Sequence, residues 1–369
     1  MRLATNVSRL ERWLGAQSVA ELSARMVDWY GPPIAVAGVP GNVVVGKGGD
    51  FRGRILTGTE ASAMEFAGRT LRKLRRWAQR GATLNTGFSS LGDLIAEASA
   101  GKRYEYQFQK AGSTGVVGVT NSLWGLGNQP AAGANASNAP GGDAPTSATT
   151  GAVPFTNPTN PDTQHFVAGF ANASVAGNTL LLYDRIFQVN KTMNSTANEA
   201  VTGVPSRYQN TTGGTVDSAE GNFLFVEVGG TALAATAHNW DTCLYTDQSN
   251  NASSALPTIT GNSGAIVRRL DHPTGQWFAP LASGDTGVKA LTQMHCSAAV
   301  ATGVVNFVMG HPLAWMPCPV ANMTCIADGI NTAFNLVRIF DSAALALLEV
   351  TKPATTATNY SVSVTAVAG

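Results

Sequence analysis

Charge is what this chain has least of. Lys, Arg, Asp and Glu make up 13% of its 369 residues, against about 25% in an ordinary globular domain. A monomer kept in solution by Lys and Glu is therefore not expected. Gly, Ala, Thr, Asn and Ser must cover the surface, which suits faces occupied by copies of the same chain or by partners. A secreted β protein with a Thr/Ser/Asn surface is the plainer alternative. Cysteine is also scarce: Cys243, Cys296, Cys318 and Cys325 all lie in the C-terminal half. None has the Cys-x2-Cys or His-x3-His spacing of a zinc site, so buried free thiols are expected and a metal is not, with one disulfide left open. No run reaches the roughly 18 apolar residues of a membrane span. Met1–Leu14 has no apolar core of a signal peptide, so sequons such as Asn172-Ala-Ser174 carry little weight.

The chemistry of an enzyme is thin as well. Gly261-Asn-Ser263-Gly264 falls one residue short of a nucleophile elbow. No closely spaced carboxylates sit in an apolar run, as acid–base hydrolysis would require. His238, Asp241, Asp271, His272, Asp285, His295 and His311 could in principle form a triad, but each has a plainer place in a turn, loop or strand. Gly41-Asn-Val-Val-Val-Gly46-Lys47-Gly48 nearly matches a phosphate-binding loop, yet it lacks the final hydroxyl and opens no helix. No catalytic residue, cofactor or metal is expected.

What charge there is lies unevenly. Residues 1–110 carry 16 Lys/Arg against 9 Asp/Glu, and residues 111–369 carry 8 against 14. That polarity suits a protein that orients itself between macromolecules. The basic part, 1–110, reads as helices. Ser8-Arg-Leu-Glu11 and Ser18-Val-Ala-Glu21 match the capping box, and Val19, Leu22 and Met26 follow the second at helical spacing. A third helix is predicted from Thr57 or Thr59 to Arg80, and a fourth from Ser89 or Ser90, using Leu91, Leu94 and Ile95 and stopping at Gly101. Ile34–Val45 reads as an extended arm or short hairpin. Within the third helix, Arg69, Arg72, Lys73, Arg75, Arg76 and Arg80 surround a stripe of Leu71, Leu74 and Ala78. Such a helix can contact phosphates, dock on an acidic protein face, or present a solvated face over its own core. Docking on protein ranks ahead of nucleic acid, because the acidic second half is available in the same assembly.

Residues 111–163 form a low-complexity tract of Gly, Ala, Asn, Pro, Ser and Thr, expected as an arm without a core of its own. From 164 to 369 the pattern becomes strands: Thr179–Val189, Phe223–Val228, Asp241–Tyr245, Gly264–Leu270, Gln276–Leu281, Val288–Ala299, Gly303–Met309, Ala314–Pro317, Ala333–Phe340, Ala343–Val350 and Tyr360–Val367. Turn residues punctuate them every 8–12 positions or so, as in an all-β sandwich. Long crossovers favour a jelly roll. The fold class is thus α+β and mainly β: a helical anchor, an arm, and a jelly-roll-like antiparallel sandwich, with Leu336–Val350 open to a partly helical reading. If such a sandwich binds a glycan, Trp240 with Asp241 and Trp277 with Gln276 are the residues to examine.

Five blocks occur in order: Leu180-Leu-Leu-Tyr-Asp-Arg-Ile-Phe187, Ser206-Arg-Tyr208, Pro280-Leu-Ala-Ser-Gly-Asp-Thr-Gly-Val288, Ala301-Thr-Gly303 and Gly310-His-Pro-Leu-Ala314. Together they resemble tailed-bacteriophage virion structural proteins of the head and neck, over about residues 178–317. The resemblance implies a particle component, most simply a cement or decoration protein docked on the head. Its partners would be copies of itself and the major capsid or neck and tail proteins, with no membrane. It would be assembled in the host cytoplasm into the virion. A neck or tail protein and a receptor- or glycan-binding virion protein are the alternatives. The major capsid protein fits less well. The resemblance carries no catalytic residues.

Overall fold

The computed structural model describes residues 33–35, 43–45, 88, 90–112, 116–330, 336–351 and 356–369. Met1–Thr83 and Leu84–Gly369 are two compact units. Of the first, Pro33–Ala35 and Val43–Val45 form an antiparallel pair with Ile34 opposite Val44, the short hairpin expected there. The predicted helices before residue 88, and with them Arg69, Arg72, Lys73, Arg75, Arg76 and Arg80, lie outside the described residues.

The second unit is mainly antiparallel β. It opens with α1 (Leu91–Ser99), whose N-cap Ser90 accepts the Asp93 N–H on its hydroxyl at 3.1 Å, satisfying one of the orphan amides of a helix start. Of the anticipated apolar stripe only Leu94 is buried, against Phe88, Leu336 and Val367, while Leu91 and Ile95 are exposed. The main strands follow as β1 (Arg103–Ala111), β2 (Gln164–Ala173), β3 (Asn178–Thr192), β4 (Phe223–Val228), β5 (Leu244–Asp247), β6 (Val288–Met294), β7 (Val304–Cys318), β8 (Cys325–Asp328), β9 (Leu345–Thr351) and β10 (Asn359–Ala368). A basic helical region reaching residue 110 is thus corrected: Arg103–Ala111 is a strand, hydrogen-bonded along its length to β10. Leu336–Val350 is not helical among its described residues.

A five-stranded sheet lies at the centre, in the order Asn121–Ser122, β9, β3, β7, β4. One face receives two other sheets. The six-stranded sheet (β8, β2, β10, β1 and Asn128–Gln129, with Arg338–Ile339 beside β2) packs on Leu180, Leu182, Leu313, Met316, Leu345 and Leu347 through Phe108, Phe166, Tyr360 and Val364. The four-stranded sheet (Ser254–Ala255, β5, β6 and Glu199–Ala200) shares a core with Phe187, Val189, Leu224, Val226, Val305 and Phe307. β3 and β7, each 15 residues long, run through both cores. They are buried on both faces, so their residues read as continuous apolar runs rather than as alternation.

The opposite face explains the low-complexity tract. Residues 116–153 are not a separate arm; they cover Leu181, Tyr183, Phe225, Val308, Ala346 and Leu348 with Trp124 and Ala152. Backbone bonds hold the segment: Leu123 donates to the Leu347 carbonyl, Asp143 and Gln188 exchange N–H···O bonds, and Asn190 donates to Ser137. Where β9 ends, residues 137–143 take its place beside β3. Glycine is required here, because a Cβ at Gly133 would stand 2.2 Å from the Trp124 ring, and Gly151, at φ +103°, packs on Gly133. The anticipated strands at Gly264–Leu270 and Gln276–Leu281 are loops of the same cover, paired only through single bridges such as Glu227 to Leu270.

Candidate functional site

Four of the five blocks that carry the virion-protein resemblance meet around the middle of β3 and β7, while Ala301-Thr-Gly303 lies at the start of β7, where the Gly303 carbonyl accepts the Met193 N–H. Asp184, fully buried, receives two hydrogen bonds from the Arg207 guanidinium, each 2.8 Å, and one from the Ala344 N–H. Next to it Arg185 makes a two-pronged pair with Glu227 at 2.6 and 3.2 Å and lies 4.7 Å over the Trp124 ring. Tyr208 stacks on His311, ring centres 3.9 Å apart, and the His311 Nδ1 bonds Asn222, which itself donates to the Tyr208 and Val288 carbonyls. Burial pushes His311 down to about 4, so it is neutral. Charges taken this far from water persist only when paired and fully hydrogen-bonded, and these are. No group in the cluster is both free and exposed, so the arrangement holds the fold and offers no nucleophile.

The remaining histidines behave likewise. His238 bonds Asp271 at 2.9 Å through Nε2 and the Thr236 carbonyl at 2.9 Å through Nδ1. Burial works against its charge, but the Asp271 hydrogen bond and charge prevail, and its pKa is raised. The same Asp271 accepts from the Trp240 indole at 2.8 Å and from the Asn262 N–H. Gly261 makes room for the imidazole, since a Cβ there would meet it at 2.2 Å. His272, pushed down to about 4 by burial, accepts the Val226 N–H on Nε2. Ser263 donates to the Thr236 carbonyl and is not aimed at an imidazole. All four cysteines are free thiols. Among the described residues there is no grouping of His, Cys, Asp and Glu that could hold a metal ion, and no helix long and apolar enough to cross a membrane.

The structure separates the residues picked for ligand binding. Trp240 is 1% exposed, packed edge-on against Phe307 with its N–H held by Asp271, so it is removed from any ligand surface. Asp241 is partly exposed and bonds His295 Nδ1 at 2.5 Å. Trp277 lies elsewhere, on the covered side of the central sheet. There it touches Phe223, Phe278 and Trp315 at ring-centre distances of 5.2, 4.5 and 5.1 Å. Beside it opens a cleft of about 280 Å³ lined by Gly221, Asn222, Phe223, Trp277, Phe278, Ala279, Leu281, Asp285 and Thr286. Asp285 is fixed there by the Tyr245 hydroxyl, which donates to its Oδ2 and accepts the Ala282 N–H. Sequence reasoning named Trp277 for ligand binding and Asp285 only as a candidate triad member, and it missed Trp315. Nothing in local spacing joins residues 277, 285 and 315; only the loops against β4 and the tail of β7 do.

No protein-family model matches the chain, and neither does a curated protein. Among solved structures, the infectious bursal disease virus VP2 subviral particle is similar at 9% identity over 72% of this chain and 80% of that chain, with a TM-score of 0.15, below the level of a shared fold.

Proposed function

We propose that the chain is a structural component of a tailed-bacteriophage particle, a cement or decoration protein that associates with its own copies and docks on the head. The observation that carries this is the meeting of the resembling blocks. Leu180–Phe187 pairs with Gly310–Ala314, Arg207 reaches Asp184, Tyr208 stacks on His311, and the Val288 carbonyl closes on Asn222. Blocks that are mutual contacts behave as the signature of a scaffold, not of a reaction centre. The outer face of the six-stranded sheet adds support. Gln107, Gln109, Ser361, Ser363 and Thr365 present amide and hydroxyl side chains, with the Arg103–Glu105 ion pair as the charges of β1 on that face, continuous with exposed Phe170 and Ile326 directly opposite each other on β2 and β8. In this reading the sandwich is jelly-roll-like, the N-terminal basic region is helical, and Arg69, Arg72, Lys73, Arg75, Arg76 and Arg80 dock on an acidic protein surface.

Mass-spectrometric identification across purified virions, empty heads and isolated tails tests it. Virions and empty heads should both contain the chain. Presence only in tails moves the assignment to the neck or tail, and absence from all three overturns it. Arg76→Glu should lower incorporation while affinity for random duplex DNA stays unchanged. A steep salt-dependent affinity for random DNA that this variant lowers would assign the helix to phosphate contacts instead.

A further inference from the structure

The cleft beside Trp277 combines two things that a purely structural surface does not need. The first is aromatic area left in water. Phe278 is 40% exposed and Trp315 44% exposed, both in contact with the half-buried Trp277, which is braced from behind by the buried Phe223. Water-facing indole and phenyl rings cost free energy that burial would recover. The second is a carboxylate held in one orientation at the edge of those rings. Asp285 Oδ2 is taken by the Tyr245 hydroxyl, and Oδ1 has no hydrogen-bond partner among the described residues. The loop that carries it is itself fixed: Gln248 accepts the N–H groups of Thr286 and Gly287 at 3.0 and 3.2 Å, and Gln276 donates to the Phe278 carbonyl at 3.0 Å. The rim is finished by the exposed hydroxyl side chain of Thr286.

We propose that this cleft binds a neutral saccharide, one sugar ring laying its C–H face on the Trp277–Phe278 aromatic wall and directing hydroxyls to Asp285 and Thr286. A sugar ring has one apolar C–H face and a circumference of hydroxyls, each both donor and acceptor. It therefore matches an aromatic wall meeting an acceptor-only carboxylate and a hydroxyl. The volume of about 280 Å³ is at the small end of ligand clefts, enough for one ring with neighbouring residues of an oligosaccharide lying over the exposed Trp315 next to Trp277. An acidic sugar would set its own carboxylate or sulfate against Asp285 and is excluded. An organic cation would satisfy the carboxylate and the rings, but it would leave the hydroxyl rim unused. This site is independent of the particle role: a scaffold protein can carry it or lack it.

The full chain is applied to an array of neutral and acidic glycans, and a neutral glycan found there is titrated while tryptophan emission is followed. Saturable binding to a neutral glycan is expected, with a dissociation constant on the order of 0.1–1 mM for a single-ring contact. Asp285→Asn and the surface change Phe278→Ala should each weaken it tenfold or more, with thermal unfolding within a few degrees of the parent. Four results overturn the proposal: no neutral glycan bound, binding confined to sialylated or sulfated glycans, neutral binding unchanged in both variants, or saturable binding of choline with none of any sugar.

Discussion

The long strand pair β3/β7 is packed in two ways along its length, by hydrocarbon near Leu182 and by charge immediately beyond. Leu180, Leu182, Met316 and Leu347 meet apolar side chains of the six-stranded sheet, with the Tyr360–Glu349 hydrogen bond at the Leu180 end of the contact. At Asp184 and Arg185 the same strand carries two oppositely charged residues in succession, each answered by a partner from a distant loop or strand: Arg207 for the one, Glu227 for the other. The contrast shows a division of labour. Hydrocarbon supplies bulk stabilisation without caring which neighbour provides it. Charge specifies the neighbour, because only a guanidinium in that place satisfies Asp184 and only a carboxylate satisfies Arg185.

Removing one partner should break the comparison most visibly. Arg207→Ala leaves Asp184 buried and unpaired and is expected to cost about 3–5 kcal/mol, as much as carving a cavity with Leu182→Ala, about 2–5 kcal/mol. Chemical denaturation of each variant measures both. Replacing Asp184 and Arg207 together by Leu and Met should recover much of the first loss, whereas no second change of this kind repairs Leu182→Ala. A double replacement no better than Arg207→Ala would show that the pair stabilises beyond its mutual neutralisation.

Acid and base sharpen the same contrast with a smaller effect. His272 and His311 are buried neutral at about 4, below the roughly 6.5 of an unfolded histidine. Between those values the unfolded chain binds more protons, so stability should fall as pH drops from 6.5 towards 4. His238 is raised; its contribution is complete below about 6.5 and is lost as pH rises through its folded value. Thermal unfolding against pH should therefore show two limbs. His272→Gln flattens the acid limb, and His238→Gln flattens the alkaline one. If His238→Gln left the alkaline limb unchanged, the imidazolium–Asp271 pair would not be its origin.

The smallest effect belongs to the edge of the structure. Ser90→Ala removes a solvent-exposed cap from α1 and should cost about 1 kcal/mol. The loss should appear as faster amide exchange in Leu91–Ser99, with the strand amides unaffected.

Legibility in the sequence followed the kind of packing. β4 was predicted at its observed ends and β3 nearly so, since apolar β-formers dominate both, broken only by Glu227 in the one and by Asp184-Arg185 and Gln188 within the predicted part of the other. β7 was predicted as two strands, broken where His311-Pro312 looks like a turn. It continues there because β4 pairs with it only as far as Gly310, leaving an outer edge on which a proline forfeits no ladder bond. The cover, 116–153, was illegible for a different reason. Its attachment is made of backbone bonds, one indole seated among glycines, and the isolated apolar anchors Leu123, Leu126 and Val153, too irregularly spaced to leave a hydrophobic period. Of the candidate site Trp277 showed as an aromatic in a loop and Asp285 only as one of several possible triad residues. Asp285 and Trp315 join it solely through tertiary structure.

Ile186 has no partner across the ladder: Arg185 faces Gly310 and Phe187 faces Met309, so β3 holds one more residue than β7 there. Before it, even-numbered side chains (Leu180, Leu182, Asp184) point to the two packed sheets; after it, odd-numbered ones do (Phe187, Val189, Met193). The strand is thus written in two reading frames with a single-letter shift between them. Excising that letter would let the alternation run straight from Arg185 to Phe187, in step with Gly310 and Met309, and Phe187 and Val189 would keep facing the packed sheets. Deleting a paired residue beyond it is the damaging edit. Loss of Val189 would rotate everything downstream by half a turn, delivering Asn190 to the oil and Met193 to the cover.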